Sequence, residues 1–370
     1  MSTDFDIACM RRALAIAAQG QGLVEPNPMV GCVIARDGVV LAEGWHARFG
    51  EAHAEIIALQ NLPANETGRG ATFYVTLEPC CHFGKTPPCT DALIAAGAAR
   101  VIVAVRDPFP KVAGGGIAKL QAAKIAVEVG LLEAEAHNLL APYLMLVEQS
   151  RPWTIAKWAM TLDGKIATAG GDSQWISGEA SRAIVHQLRG RMDAIVVGRG
   201  TAERDNPQLT ARPPGVRTPL RVVVDSMASL SLESHLVRTA RETPTLVAVG
   251  PQADPQQLRA LESAGVQVRI DPSADRFARL ANLWRYLGEQ RLTNVLVEGG
   301  GELLGSLFDA QLIDEVHAFI APKLIGGAAA PSPVAGLGLD RMADAWQLDQ
   351  PKIQQLGADL YISGRVLRRR

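Results

Sequence analysis

From Val30 to Trp45 the chain runs "VGCVIARDGVVLAEGW", two apolar stretches that meet at Asp37 and Gly38. An Asp-Gly pair between apolar runs favours a tight turn with positive φ, so the segment predicts a β-hairpin. Ahead of it, "MSTDFDIACMRRALAIAAQG" spaces its apolar residues as an amphipathic helix does. Beyond it the pattern predicts a helix over 52–59, an apolar strand over 71–77, a cysteine- and proline-rich loop, a short helix over 91–96 and a strand over 100–105. Elements that alternate in this way make an α/β fold.

A further helical stretch, "LLEAEAHNLLAPYLMLVEQ", stops where Arg151-Pro152 interrupts the periodicity and "WTIAKWAM" opens a new strand. The break places a domain boundary near Ser150 and divides the chain into residues 1–149 and 150–370. A chain of 370 residues exceeds what one core ordinarily fills, in keeping with two domains. In the second half "MDAIVVG", "LRVVVDS", "PTLVAVG" and "NVLVEGGGELLGSLF" predict strands apolar on both faces, the mark of a buried, largely parallel sheet. No sequence repeat relates the halves.

Charge and composition then exclude several classes. A formal net charge of -1 leaves no electrostatic footprint for a polyanion, and the terminal charge run is confined to Arg368, Arg369 and Arg370, so no nucleic-acid partner is expected. The N-terminal stretch carries acidic residues and two arginines where a secretory signal needs an unbroken apolar core, and no segment reaches membrane-span length without a charge or turn residue. The expectation is a cytoplasmic protein with no membrane partner. Five cysteines, Cys9, Cys32, Cys80, Cys81 and Cys89, form an odd and clustered set that favours metal over disulfides.

The candidate chemistry lies in "EAHAEII" and "TLEPCCHFGKTPPC". A catalytic zinc site takes three protein ligands and keeps a fourth position open, and His53, Cys80 and Cys89 can supply the three. Glu55 is then placed to accept a proton from an activated water. In mid-helix His53 and Glu55 would point about 200° apart, but at a helix start both can face one site. Cys89 stands ahead of a predicted helix, whose dipole favours a thiolate. A closed shell completed by Cys81 or His82 is the competing arrangement, although a structural site needs no acid such as Glu55. Cys9 and Cys32 read as small core residues. Gly84, Lys85 and Thr86 imitate the end of a P-loop, yet Pro79 stands at its first glycine; "AGGGIAKL" from Ala113 has Lys119 where a dinucleotide fingerprint needs glycine. Both read as turns.

Zinc deaminases commonly place their cysteines two residues apart, whereas eight residues separate Cys80 from Cys89. Together "PNPMVGCVI", "HAE" and "EPCCHFGKTPPC" closely resemble the deaminase domain of the bifunctional riboflavin biosynthesis deaminase/reductase family, in which the wide spacing is usual. The resemblance implies that His53, Cys80 and Cys89 ligate zinc, that Glu55 shuttles the proton, that Asn27 contacts the pyrimidine and that Cys81 is a bystander. A turn-capping role for Asn27 stays open.

In the second half, "NVLVEGGGELLGSLF" takes a strand into a helix through a triple glycine, which points backbone N–H groups at any bound phosphate, although packing alone also produces such turns. "AKWAMTLDGKIA", "SQWIS", "VGRGTAERDNPQLTAR", "VVVDS" and "VEGGGELLGSL" follow the order of the reductase half of the same family. That resemblance implies a C-terminal dihydrofolate-reductase-like domain using NADPH beside an N-terminal cytidine-deaminase-like three-layer domain. It assigns Ala159, Trp175, Thr201, Asp205, Ser226, Gly300, Gly301, Glu302, Leu303, Leu304, Gly305 and Ser306 to NADPH. To the substrate it assigns Ser173, Arg189, Leu209, Arg212 and Glu298. Two arginines suit a ribose phosphate, because guanidinium forks match phosphate oxygens. Lys157 alternates with apolar neighbours on a predicted strand and could donate a proton, while Asp163-Gly164 reads as a tight turn outside the chemistry.

The resulting expectation is a zinc- and NADPH-dependent bifunctional enzyme, and a homo-oligomer, that deaminates a phosphoribosylated diaminopyrimidine and then reduces its ribosyl to a ribityl side chain. Two alternatives are a deaminase of another base fused to an unrelated reductase, and a non-catalytic zinc-stabilised nucleotide-binding protein.

Overall fold

Thr3 and Asp6 open the first helix by capping each other. The Thr3 side chain accepts the Asp6 N–H at 3.1 Å while the Asp6 carboxylate accepts the Thr3 N–H at 2.8 Å. This capping box starts α1 (Asp4–Ala17), whose Met10, Ala13 and Ala17 are fully buried. The computed structural model describes residues 3–84 and 87–367; Lys85 and Thr86 of the P-loop-like run, and Arg368 to Arg370, lie outside the described residues. Two compact units divide the chain at Ser150 and Arg151.

In the first unit, β1 (Gly31–Arg36) and β2 (Val39–Trp45) form the hairpin, with Asp37 and Gly38 at φ 52° and 76° as an Asp-Gly turn requires. There follow α2 (Ala54–Gln60), β3 (Thr72–Leu77), α3 (Cys89–Ala95), β4 (Arg100–Val105), α4 (Gly115–Ala122), β5 (Ala126–Val129) and α5 (Glu133–Gln149). The sheet order is β2-β1-β3-β4-β5, antiparallel from β2 to β3 and parallel from β3 to β5. Alternation along the strands covers both faces. Cys32, Ile34, Phe73, Val75, Val101 and Val103 pack with Ala58, Leu93 and Leu120 from α2, α3 and α4. Val33, Ala35, Tyr74, Ile102 and Ala104 pack with Met10 of α1 and Leu140 of α5 on the other side. The result is the three-layer α/β/α arrangement. The "AGGGIAKL" stretch is a turn that becomes a helix, since Gly114 caps α4 at φ 83°.

The second unit opens with Arg151, whose guanidinium donates two 2.7 Å hydrogen bonds to the buried Asp314 carboxylate. Its elements are β6 (Trp153–Thr161), α6 (Glu179–Arg189), β7 (Ala194–Gly198), α7 (Arg199–Asp205), β8 (Leu220–Val224), α8 (His235–Arg238), β9 (Thr245–Val249), α9 (Pro255–Ser263), β10 (Gln267–Ile270), α10 (Arg276–Glu289), β11 (Asn294–Glu298), α11 (Gly301–Asp309), β12 (Glu315–Ala321), β13 (Gln347–Leu356) and β14 (Asp359–Leu367). Nine strands lie in the order β10-β9-β8-β7-β11-β6-β12-β14-β13; the first seven are parallel and the last two form an antiparallel hairpin. Trp284, Leu287, Leu304 and Leu307 of α10 and α11 cover one face, and the fully buried Trp284 satisfies its indole N–H on Thr154 Oγ1 at 2.6 Å. Strand β11 returns into the gap between β6 and β7, so the strand order reverses there. In open α/β sheets such a switch point leaves a crevice at the carboxyl ends of the strands, where ligands bind.

Candidate active sites

His53 is the N-cap of α2, with an extended backbone at φ -76° and ψ 163°, so the helical angle between it and Glu55 does not apply. Glu55, the second residue of the helix, is 3% exposed. Helix α2 lies low on β2 because Gly44 has no side chain. A Cβ there would stand 2.3 Å from the Ala58 nitrogen and 2.7 Å from the Ala54 carbonyl oxygen. Strand β3 leads into Cys80, and α3 begins at Cys89 itself rather than two residues later, with its N–H donating to Cys80 Sγ at 3.3 Å.

His53 Nδ1 lies 3.2 Å from Cys89 Sγ and 3.5 Å from Cys80 Sγ, and the three donor atoms fall within 4.8 Å of one another. Zinc bonds of about 2.0–2.3 Å at tetrahedral angles put donor atoms roughly 3.5–3.8 Å apart, so this nitrogen and sulfur set fits the ion. Cys81 Sγ turns instead to the Lys111 carbonyl oxygen at 3.7 Å, and the His82 ring faces Phe109 at a centroid distance of 6.1 Å. Among the described residues neither joins the cluster, which leaves three donors and an open position.

Hydrogen bonding from the Cys89 thiol holds Cys80 at about 4, with His53 and the Cys89 N–H adding to it against burial. The Cys89 thiol is pushed up by that bond to Cys80 and then by burial and Glu55. Burial raises Glu55, and Cys80 adds to the rise while His53 opposes it. A buried carboxyl that takes a proton readily thus sits against the cluster. Asn27 reaches it through His46: Asn27 Nδ2 is 3.3 Å from His46 Nε2, and the His46 and His53 rings meet edge-on at 5.4 Å. The sequence gives no signal for His46, or for Glu78, whose buried carboxylate accepts the N–H groups of Asp107, Gly114 and Ile117 and ties that turn beside the cysteine loop.

In the second unit the strand ends open on a cavity of about 1340 Å³. One small ligand usually occupies roughly 300–1,000 Å³, so cofactor and substrate fit together. Lys157 and Ala159 line it from β6, Ser173 and Trp175 from the loop after it, and Arg189 from the last turn of α6. Thr201 and Asp205 come from α7, Leu209 and Arg212 from the loop beyond, and Ser226 from the end of β8. Glu298 ends β11. Gly299 and Gly300, at φ 80° and 79°, make a turn that suits glycine, and Gly300 to Leu304 and Ser306 line the cavity as α11 begins. Gly305 is the exception. A Cβ there would meet the Ala335 carbonyl oxygen at 2.2 Å, so this glycine serves the packing of α11 under the 335–336 segment rather than the cavity wall.

Glu298 accepts from Arg189 Nε at 2.5 Å and Nη2 at 2.7 Å, and Lys157 Nζ lies 3.7 Å away. Burial would raise the Glu298 carboxyl, but the two cations hold it at about 2. Burial pushes the Lys157 ammonium down, and Arg189 adds to this against Glu298. With Arg189 Nη1 on the Thr210 carbonyl oxygen at 3.3 Å, all three guanidinium nitrogens have protein partners. Arg212 is more open and makes a side-chain bond to Gln208 Oε1 at 2.5 Å. The two arginines assigned to the substrate therefore differ in their surroundings, Arg189 being engaged by Glu298 and Thr210 and Arg212 being more exposed. Asp163 and Gly164 form the turn, closed by the Gly164 N–H on the Thr161 carbonyl oxygen at 2.9 Å with Gly164 at φ 76°, and the Asp163 carboxylate also accepts the N–H groups of Ile325 and Gly326.

Residues 152–362 match the family model of the RibD C-terminal domain, and residues 3–105 match that of the cytidine and deoxycytidylate deaminase zinc-binding region. The chain belongs to the RibD family. It is 41% identical over 357 residues to the riboflavin biosynthesis protein RibD of Actinobacillus pleuropneumoniae, covering 96% of this chain and 94% of that one. The Escherichia coli RibD is 39% identical, with 95% and 96% covered. Among solved structures, Acinetobacter baumannii RibD superposes with a TM-score of 0.84 at 33% identity over 98% of this chain and 99% of that one. The Thermotoga maritima diaminohydroxyphosphoribosylaminopyrimidine deaminase/5-amino-6-(5-phosphoribosylamino)uracil reductase gives 0.82 at 34%, with the same coverage. Like its RibD relatives, the chain is a bifunctional enzyme of riboflavin biosynthesis, a zinc deaminase joined to an NADPH-dependent reductase, as the two-domain α/β expectation held. No described helix is long and apolar enough to cross a membrane.

Proposed function

We propose that the first unit hydrolytically deaminates a diaminohydroxyphosphoribosylaminopyrimidine and that the second reduces the ribosyl group of the product to a ribityl chain. The observation that carries this reading is the buried Glu55 carboxyl set against an open three-donor cluster of His53, Cys80 and Cys89. These three residues would hold zinc, which when bound supplies a Lewis acid that acidifies a water molecule. Glu55 takes the proton from the attacking water and passes it to the departing amine, so the ring carbon gains oxygen and ammonia leaves. Asn27, steadied by His46, orients the pyrimidine.

In the second unit NADPH would lie along Ala159, Trp175, Thr201, Asp205, Ser226, the stretch from Gly300 to Leu304 and Ser306, and it supplies hydride to the sugar carbon C1. As the bond from C1 to the ring oxygen breaks, Lys157 gives that oxygen a proton. Glu298 keeps Lys157 charged and Arg189 fixes Glu298, while Arg212 takes the larger share of the phosphate, with Ser173 and Leu209 shaping the sugar site. A cytoplasmic location and self-association complete the reading. Five free cysteines and the use of NADPH support the former, and the exposed Leu337, Leu339 and Met342 support the latter.

One incubation with the diaminopyrimidine phosphate, zinc and NADPH, following ammonia and cofactor together, tests the sequence of steps. Glu55→Gln should keep zinc, release no ammonia and still oxidise NADPH when given the deaminated intermediate. Ammonia release by that variant would remove Glu55 from its role, and ammonia without NADPH oxidation by the unaltered chain would remove the reductase assignment.

A further inference from the structure

We propose that Arg269, Arg276 and Arg279 form the subsite that grips the 2′-phosphate of NADPH and so set the preference for NADPH over NADH. The inference rests on the reading that the cavity takes a nicotinamide dinucleotide. All three arginines line that cavity, Arg269 from β10 and the others from the first turn of α10, at the end that also holds Ser226 and Asp271.

None of the three has a carboxylate partner among the described residues. Arg269 lies over the Tyr286 ring at 4.1 Å with its Nε buried and without a hydrogen-bond partner, and Arg276 lies over Phe277 at 4.7 Å. Arg279 is held by the carbonyl oxygens of Ser273 at 2.9 Å and Ala274 at 2.8 Å, and its Nη2 donates to Ser226 Oγ at 3.3 Å. Its guanidinium also lies over Gly250, 3.6 Å from where a Cβ would stand. Aromatic rings and carbonyls orient these groups without neutralising them. Cations that line a ligand cavity without a carboxylate to neutralise them favour an anion, and a dianionic phosphate also matches the guanidinium fork.

The nearby acids are placed to favour the same ligand. Dinucleotide sites that take NADH offer a strand-end carboxylate to the ribose hydroxyls, whereas those that take NADPH offer an arginine. Asp225, just past the end of β8, is 1% exposed, and its carboxylate accepts the N–H groups of Leu230 at 2.8 Å and Met227 at 3.3 Å as well as the Ser229 hydroxyl. Asp271 is also buried and accepts the Ser273 N–H at 2.9 Å. The arginines are left to meet the ribose.

The test is equilibrium titration of the full chain with NADPH and with NADH, read by tryptophan quenching or calorimetry without substrate. Arg269→Ala and Arg279→Ala should each weaken NADPH by about tenfold, the loss expected for one charge-assisted hydrogen bond, and leave NADH nearly unchanged. Arg276→Ala, at an exposed position, carries the same test should either of the others fail to fold. Equal weakening of both nucleotides, or an unchanged preference, overturns the subsite. If the unaltered chain binds neither nucleotide, the reading of the cavity falls with it.

Discussion

Glu298 and Lys157 stand in register on paired strands β11 and β6, with Oε2 and Nζ 3.7 Å apart, and Arg189 closes on the same carboxylate from α6. One buried anion therefore serves two buried cations. Glu298→Gln keeps the shape and removes the charge, leaving both cations uncompensated. Breaking a buried pair in this way costs roughly 3–5 kcal/mol. Calorimetry should show the second unit melting earlier, NADPH oxidation should fall, and ammonia release should persist; an unshifted melt would count against the charge argument.

The same cluster sets a pH dependence. Burial, with Arg189, lowers the Lys157 ammonium below the ordinary lysine value of 10.5, so its proton is present below that lowered value and lost as pH rises through it. Reductase activity should decline on its alkaline side earlier than a free lysine would allow. In Glu298→Gln the decline should move to still lower pH, because the group that keeps the ammonium charged has gone. A pH–rate profile under saturating NADPH and deaminated intermediate reads both.

Acid should weaken the start of α1. Burial would raise the Asp6 carboxyl, but the Thr3 N–H and hydroxyl, Tyr74 and Arg100 outweigh it and hold the group at about 2, below the ordinary 3.8. A folded-state value below the unfolded one stabilises the fold at pH above about 4, and the contribution disappears as pH falls towards 2. It amounts to about 2 kcal/mol. Asp6→Asn should lose that amount at pH 7, and denaturant melts of the variant should vary less with pH over this window.

Metal removal should separate the halves. A chelator, or Cys89→Ser, should abolish zinc and ammonia release while NADPH oxidation of the deaminated intermediate continues, since the second unit has its own core. Cys81→Ser should retain one zinc per chain, because its thiol faces Lys111. Zinc lost from that variant would restore the closed four-ligand shell.

Gly44→Ala probes the seating of α2. The added methyl meets the backbone of Ala58 and Ala54, so the helix must lift, at a cost of roughly 1–3 kcal/mol. His53 and Glu55 lift with it. Deaminase activity should fall more than zinc content, and reductase activity should be untouched.

What could be read from the sequence depended on how far away each residue's partners lie. The turn at Asp37 and Gly38 is set by its own two residues, and thiols clustered beside a histidine are rare enough to announce a metal. His46 acts by bridging Asn27 to His53, and Glu78 acts on a turn some thirty to forty residues onward, so neither shows a local pattern. Arg189 looked free to hold phosphate because Glu298, its partner, is 109 residues away. Gly305 shares a motif with cavity-lining neighbours, but the helical period turns it under Ala335. Helix α3 begins at Cys89, ahead of its apolar residues, because Cys80 takes the first N–H groups, its Sγ that of Cys89 and its carbonyl oxygen that of Thr90. Strand β13 is polar and largely exposed, with no apolar period to reveal it.

The division at Ser150 and Arg151, with each proposed set of reacting groups confined to one unit, also has a genetic meaning. A chain disabled at Glu55 and another disabled at Lys157 each retain the half that the other lacks. Mixed in one tube, or expressed in one cell, the two defective proteins should together complete the conversion, with the intermediate passing between molecules through solution. Loss-of-function alleles of this gene should accordingly fall into two complementation groups, whose border lies just past the end of α5.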